Sequence, residues 1–141
     1  HTLNLSLNYA KNNYSMSLAG YYDDGTPYTW SPIAESRLYR VNLYPNNAKK
    51  PAQYRLDFFG YYDFNLSNRF TLRASMHIEN LLDTKNELFV NGNTGRANEA
   101  IVRQVDLANH RSLFNDYYDR LVNPAAISAP RYVKFGLGLV F

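Results

Sequence analysis

The stretch Ala129-Pro130-Arg131-Tyr132-Val133-Lys134-Phe135-Gly136-Leu137-Gly138-Leu139-Val140-Phe141 decides the fold. Val133, Phe135, Leu137, Leu139 and Phe141 fall on one face at period two, whereas Tyr132, Lys134, Gly136, Gly138 and Val140 fall on the other. Successive side chains point to opposite sides of a pleated backbone, so this alternation predicts a strand. Pro130 stands at its start, where the ladder can do without an N–H. A soluble protein rarely ends on its most apolar strand. A membrane-spanning barrel commonly closes on one, with its last residue in the aromatic girdle of the periplasmic rim.

The same alternation recurs upstream. Leu3, Leu5, Leu7 and Tyr9 oppose Asn4, Ser6 and Asn8; Tyr14, Met16, Leu18, Gly20 and Tyr22 oppose Ser15, Ser17, Ala19 and Tyr21. Tyr54, Leu56, Phe58, Gly60, Tyr62 and Phe64 oppose Arg55, Asp57, Phe59, Tyr61 and Asp63. Phe70, Leu72, Ala74, Met76 and Ile78 oppose Thr71, Arg73, Ser75, His77 and Glu79. These patterns predict strands at about 2–10, 14–22, 53–65, 70–79 and 131–141, which form hairpins across Lys11-Asn12 and across Asn65 to Arg69. Asp24-Gly25-Thr26-Pro27, Ser31-Pro32, Tyr44-Pro45-Asn46-Asn47 and Lys50-Pro51 break the pattern between 23 and 52, with a short extended piece expected from Leu38 to Leu43. A second irregular stretch runs from Asn80 to Pro130. Its apolar residues Ile101, Val102, Val105, Leu113, Phe114, Tyr117 and Leu121 predict one or two short helices.

Composition narrows the class. The 141 residues are one domain or a piece of one, with 13 tyrosines, 8 phenylalanines and 19% charged residues, a balance suited to strands between lipid and water. Without cysteine there is neither a disulfide framework nor a thiolate metal site. A net charge of +3 is too mild to indicate nucleic acid. No apolar run reaches the about 18 residues of a membrane helix, so any crossing is by strands. Neither a signal peptide nor an initiator Met stands at His1, and the chain is expected to be a fragment of a larger exported protein.

Two regularities predict the topology of an antiparallel transmembrane β-barrel. The links read short, long, short, long, as periplasmic turns and extracellular loops do, and no charge stands among the apolar-face residues quoted for the five strands. A lysine or arginine at mid-bilayer on that face would cost about 2–4 kcal/mol. Tyr9, Tyr14, Phe64, Phe70 and Phe141 are expected at one level, as a periplasmic girdle. Setting Phe64 against Phe70 predicts a register with Asp57 opposite His77, Arg55 opposite Glu79 and Phe58 near Met76.

The residues then resemble the C-terminal end of a TonB-dependent outer-membrane receptor of the Bacteroidota-like kind. The similarity covers most of the chain and rests on four stretches. They are Gly25-Thr26-Pro27-Tyr28-Thr29, Pro51-Ala52-Gln53-Tyr54-Arg55-Leu56-Asp57, Glu79-Asn80-Leu81-Leu82-Asp83 (the family's NLLD/NLFD signature), and Pro130-Arg131 before the strand ending in Phe141. The resemblance implies about twenty-two strands around a plug, energised from the inner membrane through TonB, and import of a siderophore, cobalamin, glycan or peptide. It implies outer-membrane lipid, the remaining barrel strands, the plug domain and the barrel-assembly machinery as partners, with Phe141 as the assembly signal. The plug, the TonB-binding segment and the signal sequence are not in this chain.

Within that frame Arg55, Asp57, Arg73, His77, Glu79 and Lys134 are candidate lumen-facing polar residues, suited more to lining the wall or meeting a plug than to substrate contact. Tyr28, Trp30, Tyr39, Tyr44, Phe114, Tyr117 and Tyr118 are loop aromatics that serve equally as ligand-stacking surfaces or as packing between loops. No cofactor or metal is expected. Asp23-Asp24-Gly25 lacks the spacing of a calcium loop, and His1, His77 and His110 lack zinc spacing. Asp116, Asp119 and the serines form no recognisable nucleophile or acid–base pair, which argues against an enzyme. Three other classes compete. An outer-membrane adhesin, porin or assembly factor would obey the same strand rules. A soluble ligand-binding barrel needs about eight strands, and an oligonucleotide-binding barrel would have to hide this apolar face in a very small interior.

Overall fold

Each alternating segment is a strand in the computed structural model, which describes residues 1–31, 44–101 and 122–141. The described residues are all-β and antiparallel. The chain divides into two compact units, one of residues 1–23, 54–84 and 129–141, the other of residues 24–53 and 85–128.

The first unit is built on a five-stranded sheet. Its strands are β1 (Thr2–Lys11), β2 (Tyr14–Asp23), β5 (Gln53–Asn65), β6 (Thr71–Glu79) and β7 (Tyr132–Val140), in the order β1-β2-β5-β6-β7. The sheet stays open, with β1 and β7 at its edges. Pairing stacks the apolar set on one face: Leu3↔Tyr22, Leu7↔Leu18 and Tyr9↔Met16 in the β1–β2 hairpin, and Phe58↔Ile78, Tyr62↔Ala74 and Phe64↔Leu72 in the β5–β6 hairpin. The row continues through Ile78↔Val133, Met76↔Phe135 and Leu72↔Leu139. Leu56 and Leu5 both lie within 4 Å of where a Cβ at Gly20 would sit, so the apolar face is continuous from β1 through β2 to β5.

That face finds no cover among the described residues. Leu137 is 79% exposed and Phe135 75%, and Leu3, Leu5 and Leu7 each keep more than half of their surface open. Among the described residues Ala97 and Ala126 are the buried hydrophobic residues, and no large side chain is fully buried. Among the described residues the apolar side of the sheet therefore has no core behind it.

Both short turns differ from expectation. The first is Asn12-Asn13, with β1 running on to pair Lys11 with Tyr14. Asn12 takes the left-handed φ of 47° that a two-residue hairpin turn requires and that asparagine tolerates. In the second, Phe70 is part of the turn, because its carbonyl accepts from the N–H groups of Leu66 (3.0 Å) and Ser67 (3.2 Å). Asn65 then pairs with Thr71, and the register slides by two residues from the expected one. His77 stands opposite Phe59, not Asp57, and Gly60, not Phe58, stands opposite Met76. Arg55 is not across from Glu79; it pairs with Asp57 along its own strand at 2.9 Å. A shift of two leaves every side chain on its expected face.

The second unit holds a small hairpin of β3 (Pro27–Tyr28) and β4 (Ala48–Lys49), which the sequence does not announce. Gly25 opens it with φ +87°, and a Cβ there would collide with the carbonyl of Lys50. A 3₁₀ turn at Pro124–Ala126 is capped by the Asn123 side chain, and Glu87 bridges Ile127. The extended piece expected at Leu38 to Leu43 and most of the helical expectation between Asn98 and Val122 lie outside the described residues.

Candidate functional site

The polar side of the sheet carries the charges. Arg55, Asp57, Arg73, His77, Glu79 and Lys134 share it, as do Asp63, Phe59 and Tyr61. Arg73 and Asp63 face each other across β5 and β6 in a two-point pair, Nε to Oδ1 and Nη2 to Oδ2, each 2.7 Å. The guanidinium also lies 4.1 Å from the centre of the Tyr61 ring. A planar guanidinium meets a carboxylate at two points and an aromatic face at once, which a lysine ammonium cannot do. Asn13 brings the β1–β2 turn into this cluster. Its carbonyl accepts from Asp63 N at 2.7 Å, and its side chain donates to Asp63 O at 3.2 Å. Asn12, Asn13, Asp63, Asn65, Thr71 and Arg73 line a cavity of about 500 Å³ at this end of the sheet.

The other predicted polar residues are spread along the same face. His77 sits edge-on to Phe59 at 6.2 Å and pairs across the ladder with Lys134. Lys134 Nζ lies 5.8 Å from the Tyr132 ring, and Tyr132 is the cross-strand partner of Glu79. The apolar face has an aromatic row at the short-turn end. Tyr9, Tyr14, Tyr62 and Phe64 follow one another at ring separations of 5.8, 6.4 and 4.6 Å. Tyr62 was not among the residues expected at that level.

At the opposite end of the sheet one residue ties three strands together. Asn80 is 3% exposed and takes a left-handed φ of 53°. Its amide donates to the carbonyls of Thr84 (3.0 Å) and Ala129 (3.1 Å) and accepts from Thr84 N (2.9 Å) and Thr84 Oγ1 (2.8 Å). Its backbone N–H goes to Asp57 Oδ1 at 2.9 Å, and Leu81 N reaches Leu56 O at 2.6 Å. Asp83, also left-handed, accepts Arg131 N at 2.8 Å. Asp57, Asn80, Asp83 and Arg131 come from three of the four stretches that carry the resemblance, and they meet in this knot. The sequence signal was the placement of Asn and Asp at a strand exit, since both tolerate left-handed backbone and bond locally.

In the second unit Trp30 is held on three sides. Its indole N–H donates to Asn93 O at 3.0 Å, its backbone N–H to Asn47 Oδ1 at 2.7 Å, and its carbonyl accepts from Asn47 Nδ2 at 3.3 Å. The residue is still 42% exposed. Tyr28 packs its hydroxyl where a Cβ at Gly95 would be, which makes it loop packing, whereas Tyr44 is 78% exposed. Tyr39, Phe114, Tyr117 and Tyr118 lie outside the described residues.

Two ion pairs stand among the described residues of this unit. Asp24 takes Lys49 Nζ at 2.6 Å, and Lys49 both bonds to that carboxylate and holds its pKa below the ordinary carboxylate value. Lys50 Nζ donates to Leu88 O at 2.8 Å. Glu87 accepts from Arg96 Nε at 2.8 Å and Ala97 N at 2.6 Å. Burial pushes the Glu87 carboxyl up, but the Arg96 hydrogen bond, the Ala97 N–H and the Arg96 charge together take it below its usual value. No cluster of three or more potential metal ligands occurs among the described residues. Comparison with protein families, curated proteins and solved structures finds no match to the chain.

Proposed function

We propose that this chain supplies C-terminal strands of a TonB-dependent outer-membrane receptor that imports a scarce nutrient through a plugged barrel. The observation that carries the reading is the sheet's division into faces. One side is apolar on all five strands, exposed on β1, β7 and parts of β2 and β5 and half-buried on β6, and Arg55, Asp57, Asp63, Arg73, His77, Glu79 and Lys134 are confined to the other. In water such a face is a liability, at about 25 cal/mol for each Å² of apolar surface left exposed. In a bilayer it is the required one, because lipid tolerates apolar side chains and penalises charge. The edges β1 and β7 continue in this reading into further strands of the same barrel, since lipid leaves no place for an unpaired edge. The short turns face the periplasm, the long links face outward, and the polar side lines the lumen against a plug.

Single cysteines test the faces in the chain folded into detergent micelles or lipid vesicles, with no native cysteine to interfere. Leu137→Cys and Phe135→Cys are expected to react with a membrane-soluble thiol reagent and to resist a water-soluble one. Lys134→Cys and Arg55→Cys are expected to do the reverse. Equal reaction of both sets with the water-soluble reagent, or a monodisperse β-rich monomer without detergent, overturns the membrane reading.

A further inference from the structure

We infer that Trp30 is a preformed stacking platform for a neutral sugar ring, with the Asn93 amide as its hydrogen-bonding companion. The inference rests on reading the long links as ligand-gathering loops of an importer, and it names the cargo class as a glycan.

Three observations lead there. The first is fixity. Every polar group of Trp30, backbone and indole alike, is engaged by Asn47 or Asn93, so what remains for a ligand is the ring surface. A partly exposed indole held this way needs little further ordering when something stacks on it, and low ordering cost is what turns contact area into affinity.

The second is the asymmetry among neighbouring amides. Asn47 has both ends of its side chain engaged, and Asn91 Nδ2 serves the carbonyls of Arg96, Ala97 and Glu99 at 2.9–3.1 Å. Asn93 differs. Its Nδ2 reaches Ile101 O only at 3.5 Å, the outer limit of a hydrogen bond, and its Oδ1 is buried with no partner among the described residues. A buried carbonyl oxygen left unpaired is costly, and a weakly tethered amide can turn toward an arriving hydroxyl. The same residue's backbone carbonyl holds the indole, so acceptor and platform are neighbours by construction.

The third is charge. Asp24 with Lys49 and Glu87 with Arg96 neutralise one another, and Lys50 is spent on a carbonyl and lies over Phe89. The groups bonded around Trp30 are amides, carbonyls and the Thr29 hydroxyl, which takes Asn46 N at 3.1 Å. An aromatic face with neutral donors and acceptors suits a pyranose, which offers an apolar C–H face and a rim of hydroxyls. Among the described residues no charged group is bonded to Trp30, Asn47 or Asn93, so this setting favours a neutral ring over an anionic chelate or a charged peptide.

Trp30 is the chain's single tryptophan, so its emission reports the site directly. The chain in detergent micelles is titrated with maltohexaose, cellohexaose, xylohexaose and chitohexaose, and in parallel with a ferric catecholate and with acidic and basic pentapeptides. A saturable emission change is expected with at least one neutral oligosaccharide and with none of the charged probes. Calorimetry is expected to show affinity about tenfold weaker for Trp30→Ala, a loss near 1.4 kcal/mol. Trp30→Phe should retain part of the binding. Asn93→Ala keeps the carbonyl that holds the indole and is expected to weaken binding with the emission of the free protein unchanged. Silence with all four sugars, equal response to the charged probes, or full affinity in Asn93→Ala overturns the inference. The cysteine labelling reads the membrane reading separately: correct faces with no sugar response sink only the platform, and sugar binding with reversed faces sinks only the barrel.

Discussion

Arg73 and Asp63 are direct cross-strand neighbours, joined at two points of 2.7 Å each on the polar side of the β5–β6 hairpin. The pair lies two positions in from the turn-end pair Asn65↔Thr71, where it clamps the shifted register. Arg73→Lys keeps the charge and loses both the fork and the contact with the Tyr61 ring. The expected outcome is a lower unfolding temperature in detergent for Arg73→Lys, and no additional lowering when Tyr61→Leu is combined with it. Additive effects of the two substitutions would show that the stacking and the ion pair act separately.

The register itself is open to crosslinking. Cysteines at Phe59 and His77 stand opposite each other and are expected to form a disulfide under mild oxidation, whereas Asp57 with His77 is expected to fail. Efficient bonding of Asp57→Cys with His77→Cys would restore the register that sets Phe64 against Phe70.

What the sequence made legible follows from what each signal depends on. The five strands and their two faces rest on period two, and alternation in Leu3 to Tyr9 or Val133 to Phe141 survives any register. The register rests on how a turn closes, and nothing in Leu66 to Phe70 shows that the Phe70 carbonyl accepts two N–H groups. The hairpin of β3 and β4 has two residues a side, too short for any period to register. Asn80 was visible as part of a motif, but its bonds to Thr84 and Ala129 span 4 and 49 residues, and only the folded chain joins them. Trp30 stood out by type alone; what fixes it is a pair of asparagines 17 and 63 positions away.

Asn80 is expected to be the most sensitive single position in the sheet unit. Asn80→Ala removes a buried amide together with its bonds to Thr84 and Ala129, and puts alanine, which lacks the local hydrogen bonds that let asparagine tolerate it, on a left-handed backbone. The loss should be about 2–4 kcal/mol, read as a drop in the urea midpoint with an unchanged slope. Asn80→Asp keeps one acceptor and the backbone preference and should fall between. Wild-type stability in Asn80→Ala would mean that the strand exit holds itself without the amide.

Glu87 gives the second unit a defined acid limit. Its side chain is 12% exposed and accepts from both Arg96 and Ala97 N, which holds its pKa below the ordinary glutamate value of 4.5. A carboxyl depressed in the folded state binds its proton less readily there than in the unfolded chain. Its stabilising contribution is therefore fully present above the ordinary value and is lost as pH falls through the lower, folded one. Protection of the Ala97 amide against hydrogen exchange, corrected for the intrinsic rate, is expected to be flat above pH 4.5 and to decline below it. Glu87→Gln keeps an acceptor for the Ala97 N–H but carries no charge, so it should show reduced protection at neutral pH and little further decline in acid. A Glu87→Gln chain that kept the wild-type acid profile would assign the decline to another carboxylate, with Asp24 beside Lys49 the next to substitute.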